Sequence, residues 1–138
     1  MKPIPGNDFT RRVIGCAIEV HRELGPGLVE SIYEACLCDE LADAGLPFAR
    51  QQQLPVRYKG RMLNGHYQPD IVVDDVLVLE IKAAQQVHPI HEAQLMTYLR
   101  LGDFPLGLLL SFNTQLLKNG VTRVLNPKGP RPLNTQQP

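Results

Sequence analysis

Apolar residues recur at different periods along this chain, and the period predicts the element. Between Asn7 or Asp8, either of which can cap a helix, and Leu24, the residues Val13, Ala17, Ile18, Val20 and Leu24 fall at near-helical spacing. Gly25-Pro26-Gly27 stops that helix. A second is predicted from about Leu28 to Ala44, with Gly45 able to take a left-handed conformation at its end. The period then changes to two, with Leu54, Val56 and Tyr58 alternating before Lys59-Gly60, which reads as a turn into a partner strand over Arg61 to Tyr67. Ile71-Val72-Val73 and Val76-Leu77-Val78-Leu79 are apolar at consecutive positions, as strands covered on both faces are, and belong in the middle of a sheet. Pro89 opens a helix through about Leu101, ended by Gly102. Leu106 to Phe112 predicts another central strand and Val121 to Leu125 a last one, so the chain reads as α/β with two helices before its first strand.

Length and composition narrow this picture. With 138 residues the chain is expected to form one domain, 1–125, followed by a tail from Asn126 that holds Pro127, Pro130, Pro132 and Pro138 among polar residues. Such a tail buries too little to offset its ordering entropy and is predicted to be disordered. Fourteen basic residues balance fourteen acidic ones, which excludes a global positive field drawing the protein onto nucleic acid; any such binding is local. The densest basic group, Arg57, Lys59 and Arg61 with Arg50 nearby, also fits a solvated hairpin tip. Cys16, Cys36 and Cys38 match neither a disulfide set nor a zinc spacing and are expected as reduced thiols. The N-terminus carries no apolar run of signal-peptide type, and no stretch is long enough to span a bilayer, so the expected location is cytoplasmic.

The chemistry concentrates around the second hairpin. Side chains alternate across a strand, so Glu80 and Lys82 face one side while Leu79 and Ile81 face the other. Asp70 joins them only if Ile71 pairs with Leu79, Val72 with Val78 and Val73 with Leu77, leaving Asp74, Asp75 and Val76 as the loop. A tighter Asp74-Asp75 loop would send Asp70 and Glu80 to opposite faces. Two opposed carboxylates repel, which calls for a cation between them. Lys82 supplies part of that charge, and an oxygen ligand pair with a hydrated remainder suits magnesium or manganese. An ordinary edge-strand ion pair is the alternative for the same triplet. Gln94 and Tyr98, with His91, fall on one face of the following helix and offer donors to a phosphate backbone, although each also reads as core or solvated surface. Gly27, Glu30 and Tyr33 stand at successive i+3 positions; Glu30 is either a first-turn acid favoured by the helix dipole or a third carboxylate of the site.

Together these residues make the chain resemble the GxxExxY protein family of the PD-(D/E)xK nuclease superfamily, the group with the restriction-endonuclease-like fold. Val20 through Glu34 is similar to the family's signature, Gly65-His66-Tyr67-Gln68-Pro69-Asp70 with Glu80-Ile81-Lys82 to its nuclease core, and His91 through Leu99 to its glutamine-tyrosine helix. The resemblance spans about Phe9 to Asn126 and implies a central mixed β-sheet flanked by helices. It further implies that Asp70, Glu80 and the Ile81 carbonyl bind a catalytic Mg2+ or Mn2+, with Glu30 as the acid from the preceding helix. Lys82 would assist the attacking water, and Gln94 and Tyr98 would steady the substrate backbone. The activity implied is a nuclease hydrolysing phosphodiester bonds by metal-activated water, with DNA favoured over RNA. Family members often carry an arginine where this chain has Gln68. From a different class, the fold also suits a non-catalytic assembly or nucleic-acid-binding module, a homo-oligomer built on the Leu-rich helices or exposed strand edges.

Overall fold

The computed structural model describes residues 2–84 and 87–128. Helix α1 (Asn7–Leu24) and helix α2 (Glu30–Asp43) lead into strand β1 (Phe48–Arg50), the hairpin β2 (Leu54–Tyr58) and β3 (Arg61–Tyr67), and the hairpin β4 (Ile71–Val73) and β5 (Leu77–Lys82). Helix α3 (Pro89–Gly102) then crosses to β6 (Leu106–Ser111), and a 3-10 turn over Leu117–Gly120 precedes β7 (Val121–Leu125). Five strands form one mixed sheet in the order β1-β4-β5-β6-β7, parallel only between β5 and β6, while β2 and β3 form a separate ribbon.

Helices cover both faces of the sheet. Tyr33, Leu37 and Leu41, at i, i+4 and i+8 of α2, are fully buried and pack with Val13, Ala17 and Val20 of α1 onto Leu77, Leu79 and Ile81 of β5 and Leu106, Leu108 and Leu110 of β6. The intervening residues Val72, Val78 and Leu109 turn to the other face, where Leu95 and Leu99 of α3 cover them. Gly107 permits this approach, because a Cβ there would stand 2.8 Å from Leu95 Cδ1. Continuously apolar β4, β5 and β6 are thus buried on both faces, as their composition predicts.

Several expectations are corrected at element ends. Helix α1 is capped by Gly6, whose carbonyl accepts from Thr10 N, and Asn7 and Asp8 lie within its first turn. Its buried stripe takes in Cys16 and His21, whereas Ile18 and Leu24 are exposed. Helix α3 includes Gly102, and it is Asp103 that turns left-handed to end it, at φ 56°. Strand β1 has no counterpart in the periodicity. Asn126, assigned by composition to the tail, is buried, donating from Nδ2 to the carbonyls of Leu99 and Phe104, both at 3.0 Å. The expected disorder beyond it falls mainly on residues 129–138, which lie outside the described residues. Among the described residues, no helix is long and apolar enough to cross a membrane.

Candidate active site

Strands β4 and β5 pair Ile71 with Leu79, Val72 with Val78 and Val73 with Leu77, the register that a shared site for Asp70 and Glu80 requires. Asp74 and Asp75 make the reversal possible by both adopting positive φ, 50° and 60°, a conformation Asp tolerates better than most residues. One step beyond the last pair the two acids meet. Asp70 N donates to Glu80 Oε2 at 2.7 Å and Ile81 N donates to Asp70 Oδ2 at 2.8 Å, so each carboxylate satisfies a backbone N–H of the opposite strand.

This pairing fixes two like charges in a poorly hydrated place. Burial, then the neighbouring Asp70, pushes the Glu80 carboxyl up to about 8. Burial also raises Asp70, aided by Glu34 and opposed by the Ile81 N–H, Gln51 and Lys82. At neutral pH the pair therefore retains a proton unless a cation takes its place. Lys82, on the same face of β5 as Glu80, lowers both carboxyls through its charge. It forms no ion pair with a carboxylate among the described residues.

A contact missed in the sequence comes from α2 by way of the loop after β1. Gln51 donates from Nε2 to Glu34 Oε1 at 2.9 Å and to Asp70 Oδ1 at 3.1 Å, bridging a buried helix carboxylate to the site. Arg50 Nε donates to the other Glu34 oxygen at 2.6 Å. The Gln51 backbone is held at φ 52° by Gln68 Nε2, which donates to its carbonyl at 2.7 Å, and by its own N–H on Asp70 O at 2.9 Å. Gln68 thus fixes the loop that steadies Asp70. A signal for Glu34 existed, since it shares a helical face with Leu37, Cys38 and Leu41, and an acid on an apolar stripe demands partners.

Glu30 is directed elsewhere: its Oε2 accepts from Ala83 N at 3.0 Å, holding the backbone one residue past Lys82. Among the described residues no three His, Cys, Asp or Glu side chains converge as a metal-ligand set. Tyr33 of the same motif belongs to the core. It stacks on Phe112 with ring centroids 4.4 Å apart, donates to Gly25 O at 2.5 Å and accepts from Leu28 N at 3.1 Å, pinning the loop in which Gly27 takes φ +101°.

From the α3 side, Gln94 Nε2 donates to the Tyr98 hydroxyl at 3.1 Å. Burial, then Glu80, raises the Tyr98 phenol, which keeps it a proton donor beside the carboxylates. Tyr98 is braced from behind by Tyr67, with ring centroids 5.0 Å apart. His91 lies on the same helix, and its Nδ1 is buried with no hydrogen-bond partner. A cavity of about 630 Å3 lies at the other end of the β4–β5 hairpin, beside Asp75, Leu54 and Phe104, and shares no residue with the acid cluster.

The donor set fits a hard divalent cation. Carboxylate oxygens of Asp70 and Glu80 would be its ligands, Glu80 Oε1 accepts no hydrogen bond from the described residues, and both carboxyls are raised, first by burial. No curated protein and no solved structure matches the chain significantly. The model of the PD-(D/E)XK nuclease superfamily matches residues 7–124, a span containing both helices, the acid pair, Lys82 and the Gln94–Tyr98 face. The fold, the opposed Asp70 and Glu80 with Lys82 two residues on, and that match agree: the chain belongs to the PD-(D/E)XK nuclease superfamily.

Proposed function

We propose that this protein is a divalent-metal-dependent nuclease of the GxxExxY group, hydrolysing phosphodiester bonds in nucleic acid, DNA before RNA, with Mg2+ or Mn2+. The observation that carries the reading is the Asp70–Glu80 pair, both carboxyls raised first by burial and Glu80 further by Asp70, with Lys82 on the same strand face. Asp70, Glu80 and the Ile81 carbonyl would hold the ion. Once bound, such an ion supplies charge to the scissile phosphate and lowers the pKa of water.

The chain's own residues do the rest. Asp70 is oriented by the Ile81 N–H and the Gln51 amide, so its carboxylate is preorganised in the strand register. Glu30 fixes the backbone after Lys82 through Ala83, which sets where the ammonium can reach a water or a phosphate oxygen. Tyr98 and Gln94 present a hydroxyl and an amide from the helix that follows, suited to non-bridging phosphate oxygens. No covalent enzyme intermediate is needed, because the attacking group is water. Reduced Cys16, Cys36 and Cys38 suit a reducing compartment, and we propose a cytoplasmic location.

The decisive measurement is cleavage of linear, circular and single-stranded nucleic acid by purified protein with and without Mg2+ or Mn2+. Wild type should cut only with metal, and Lys82→Ala should abolish cutting while keeping its far-UV circular dichroism. Equal activity in both proteins would identify a contaminant and leave a non-catalytic module, monomeric or homo-oligomeric, as the reading.

A further inference from the structure

The β2–β3 ribbon stands apart from the main sheet and is covered only at its root, where Leu54 packs with the α3 cluster and Tyr67 is buried against Tyr98. From Arg57 to His66 every residue is exposed, including Tyr58 at 51% and Met62 at 53%. The segment 54–67 contains Arg57, Lys59, Arg61 and His66 and no acid, in a chain whose total charge is balanced. Lys59 Nζ lies 5.4 Å from the Tyr58 ring centroid, and among the described residues none of Arg57, Lys59 and Arg61 forms an ion pair with a carboxylate.

The register distributes these cations. Tyr58 pairs with Arg61 and Arg57 with Met62, so alternation places Arg61 and Tyr58 on one face of the tip and Arg57 and Met62 on the other, while Lys59 occupies the turn at φ 50°. A flat acidic surface would meet one face only. A groove between two phosphate walls meets both, and the major groove of B-form DNA, about 12 Å wide, admits a two-stranded β-ribbon. The corresponding groove of A-form RNA is deep and narrow. A second copy docking ribbon to ribbon is disfavoured, since it would bring the same cations against these.

We propose that the β2–β3 ribbon is a duplex-DNA-binding arm that enters the major groove, with Arg61 beside Tyr58 on one phosphate wall, Arg57 beside Met62 on the other and Lys59 reaching phosphate from the turn. Its connection to cleavage rests on the nuclease reading given above. Asp70 follows Tyr67 by three residues, and the six steps from Tyr67 to Arg61 span about 20 Å, so the arm would grip duplex well to one side of the acids.

The test is fluorescence anisotropy with a labelled 20-base-pair DNA duplex and the matching RNA duplex in EDTA, where no cleavage occurs. Wild type should prefer the DNA. The triple variant Arg57→Ala/Lys59→Ala/Arg61→Ala should lose at least about tenfold in affinity at low salt, and its log K against log salt slope should flatten by about 2.7, three phosphate contacts at about 0.9 each. Failure of wild type to bind duplex DNA, or unchanged affinity and slope in the triple variant, would overturn the arm. Hydrolysis of bis(p-nitrophenyl) phosphate with Mn2+ tests the nuclease reading separately. The triple variant should keep the wild-type rate on this small diester and Lys82→Ala should lose it. Absent hydrolysis in wild type refutes the nuclease without touching the arm, and loss of hydrolysis in Lys82→Ala together with unchanged DNA affinity in the triple variant refutes the arm alone.

Discussion

Replacing Glu80 by glutamine should stabilise the metal-free protein, by an amount set by pH. Glu80 is 5% exposed, and its carboxyl is raised from 4.5 to about 8, first by burial and then by Asp70. The folded state therefore binds a proton that the unfolded chain releases, and stability falls as pH rises from about 4.5 to about 8. Glutamine has the shape of the protonated acid, and its carbonyl can still accept from Asp70 N. The two proteins should match near pH 4, differ by about 3 kcal/mol near pH 7 and approach about 5 kcal/mol near pH 9, taking 1.36 kcal/mol per pK unit. Urea unfolding followed by circular dichroism across this range, in EDTA, reads the difference from the midpoints. Parallel stability curves for the two proteins from pH 4 to 9, or a less stable variant at pH 8, would refute the reasoning. The same experiment with Mg2+ adds a second arm. At about 100 times its dissociation constant the ion should return about 2.7 kcal/mol to wild type near pH 8 and markedly less to the variant.

Gln51→Ala removes the donor shared by Glu34 and Asp70, so Asp70 should titrate higher still, and the acid limb of the cleavage profile should move to higher pH with the maximal rate less affected. An unmoved limb would show that the bridge does not tune Asp70. Tyr33→Phe keeps the stack on Phe112 but strands Gly25 O and Leu28 N; thermal and urea unfolding should report a loss of about 1–3 kcal/mol, and a neutral result would mean water replaces the hydroxyl. Asn126→Ala removes the side-chain donor of the Phe104 carbonyl in a buried place, while Leu99 O keeps the Asp103 and Phe104 N–H groups, and should cost about 1–3 kcal/mol by the same assay.

The hairpin register was legible because one constraint decided it. If Asp70 and Glu80 share a site, only a three-residue loop keeps them on one face, and the Asp74-Asp75 pair can adopt the required positive φ. Central strands were legible from their consecutive apolar residues, and the Lys59-Gly60 turn from its chemistry. Strand β1 was not. Phe48-Ala49-Arg50 is too short to display a period, and it is a strand only because β4 supplies the ladder, with Phe48 opposite Val73 and Arg50 opposite Ile71. Burial of Asn126 escaped the sequence for a related reason: proline-rich composition predicts that a segment cannot build a core, yet one amide reaching the Leu99 and Phe104 carbonyls at the end of α3, with its own N–H on Pro105 O, anchors this residue.

The helix acid shows where local reading stops. Gly27, Glu30 and Tyr33 are equally spaced, which suggested one face pointed at the site. Tyr33 instead turns fully into the core, and Glu30 reaches the backbone at Ala83. The next acid along, Glu34, is the one linked to Asp70, through a glutamine seventeen residues later. Periodicity reports which residues share a helical face, but which end of that face meets the sheet edge depends on where the β1 loop returns, and no local pattern encodes that. What the arrangement achieves is nonetheless clear in energetic terms. Glu34, Asp70 and Glu80 are three acids held within one network, countered by Arg50, Gln51 and two backbone N–H groups but not neutralised, since both Asp70 and Glu80 remain raised. A site selected for stability alone would have replaced one acid with an amide. At neutral pH a proton relieves the pair, because Glu80 is raised to about 8, so any cation bound there has to displace that proton, and the free energy that raises the carboxyl is the same free energy that would make such binding strengthen with pH.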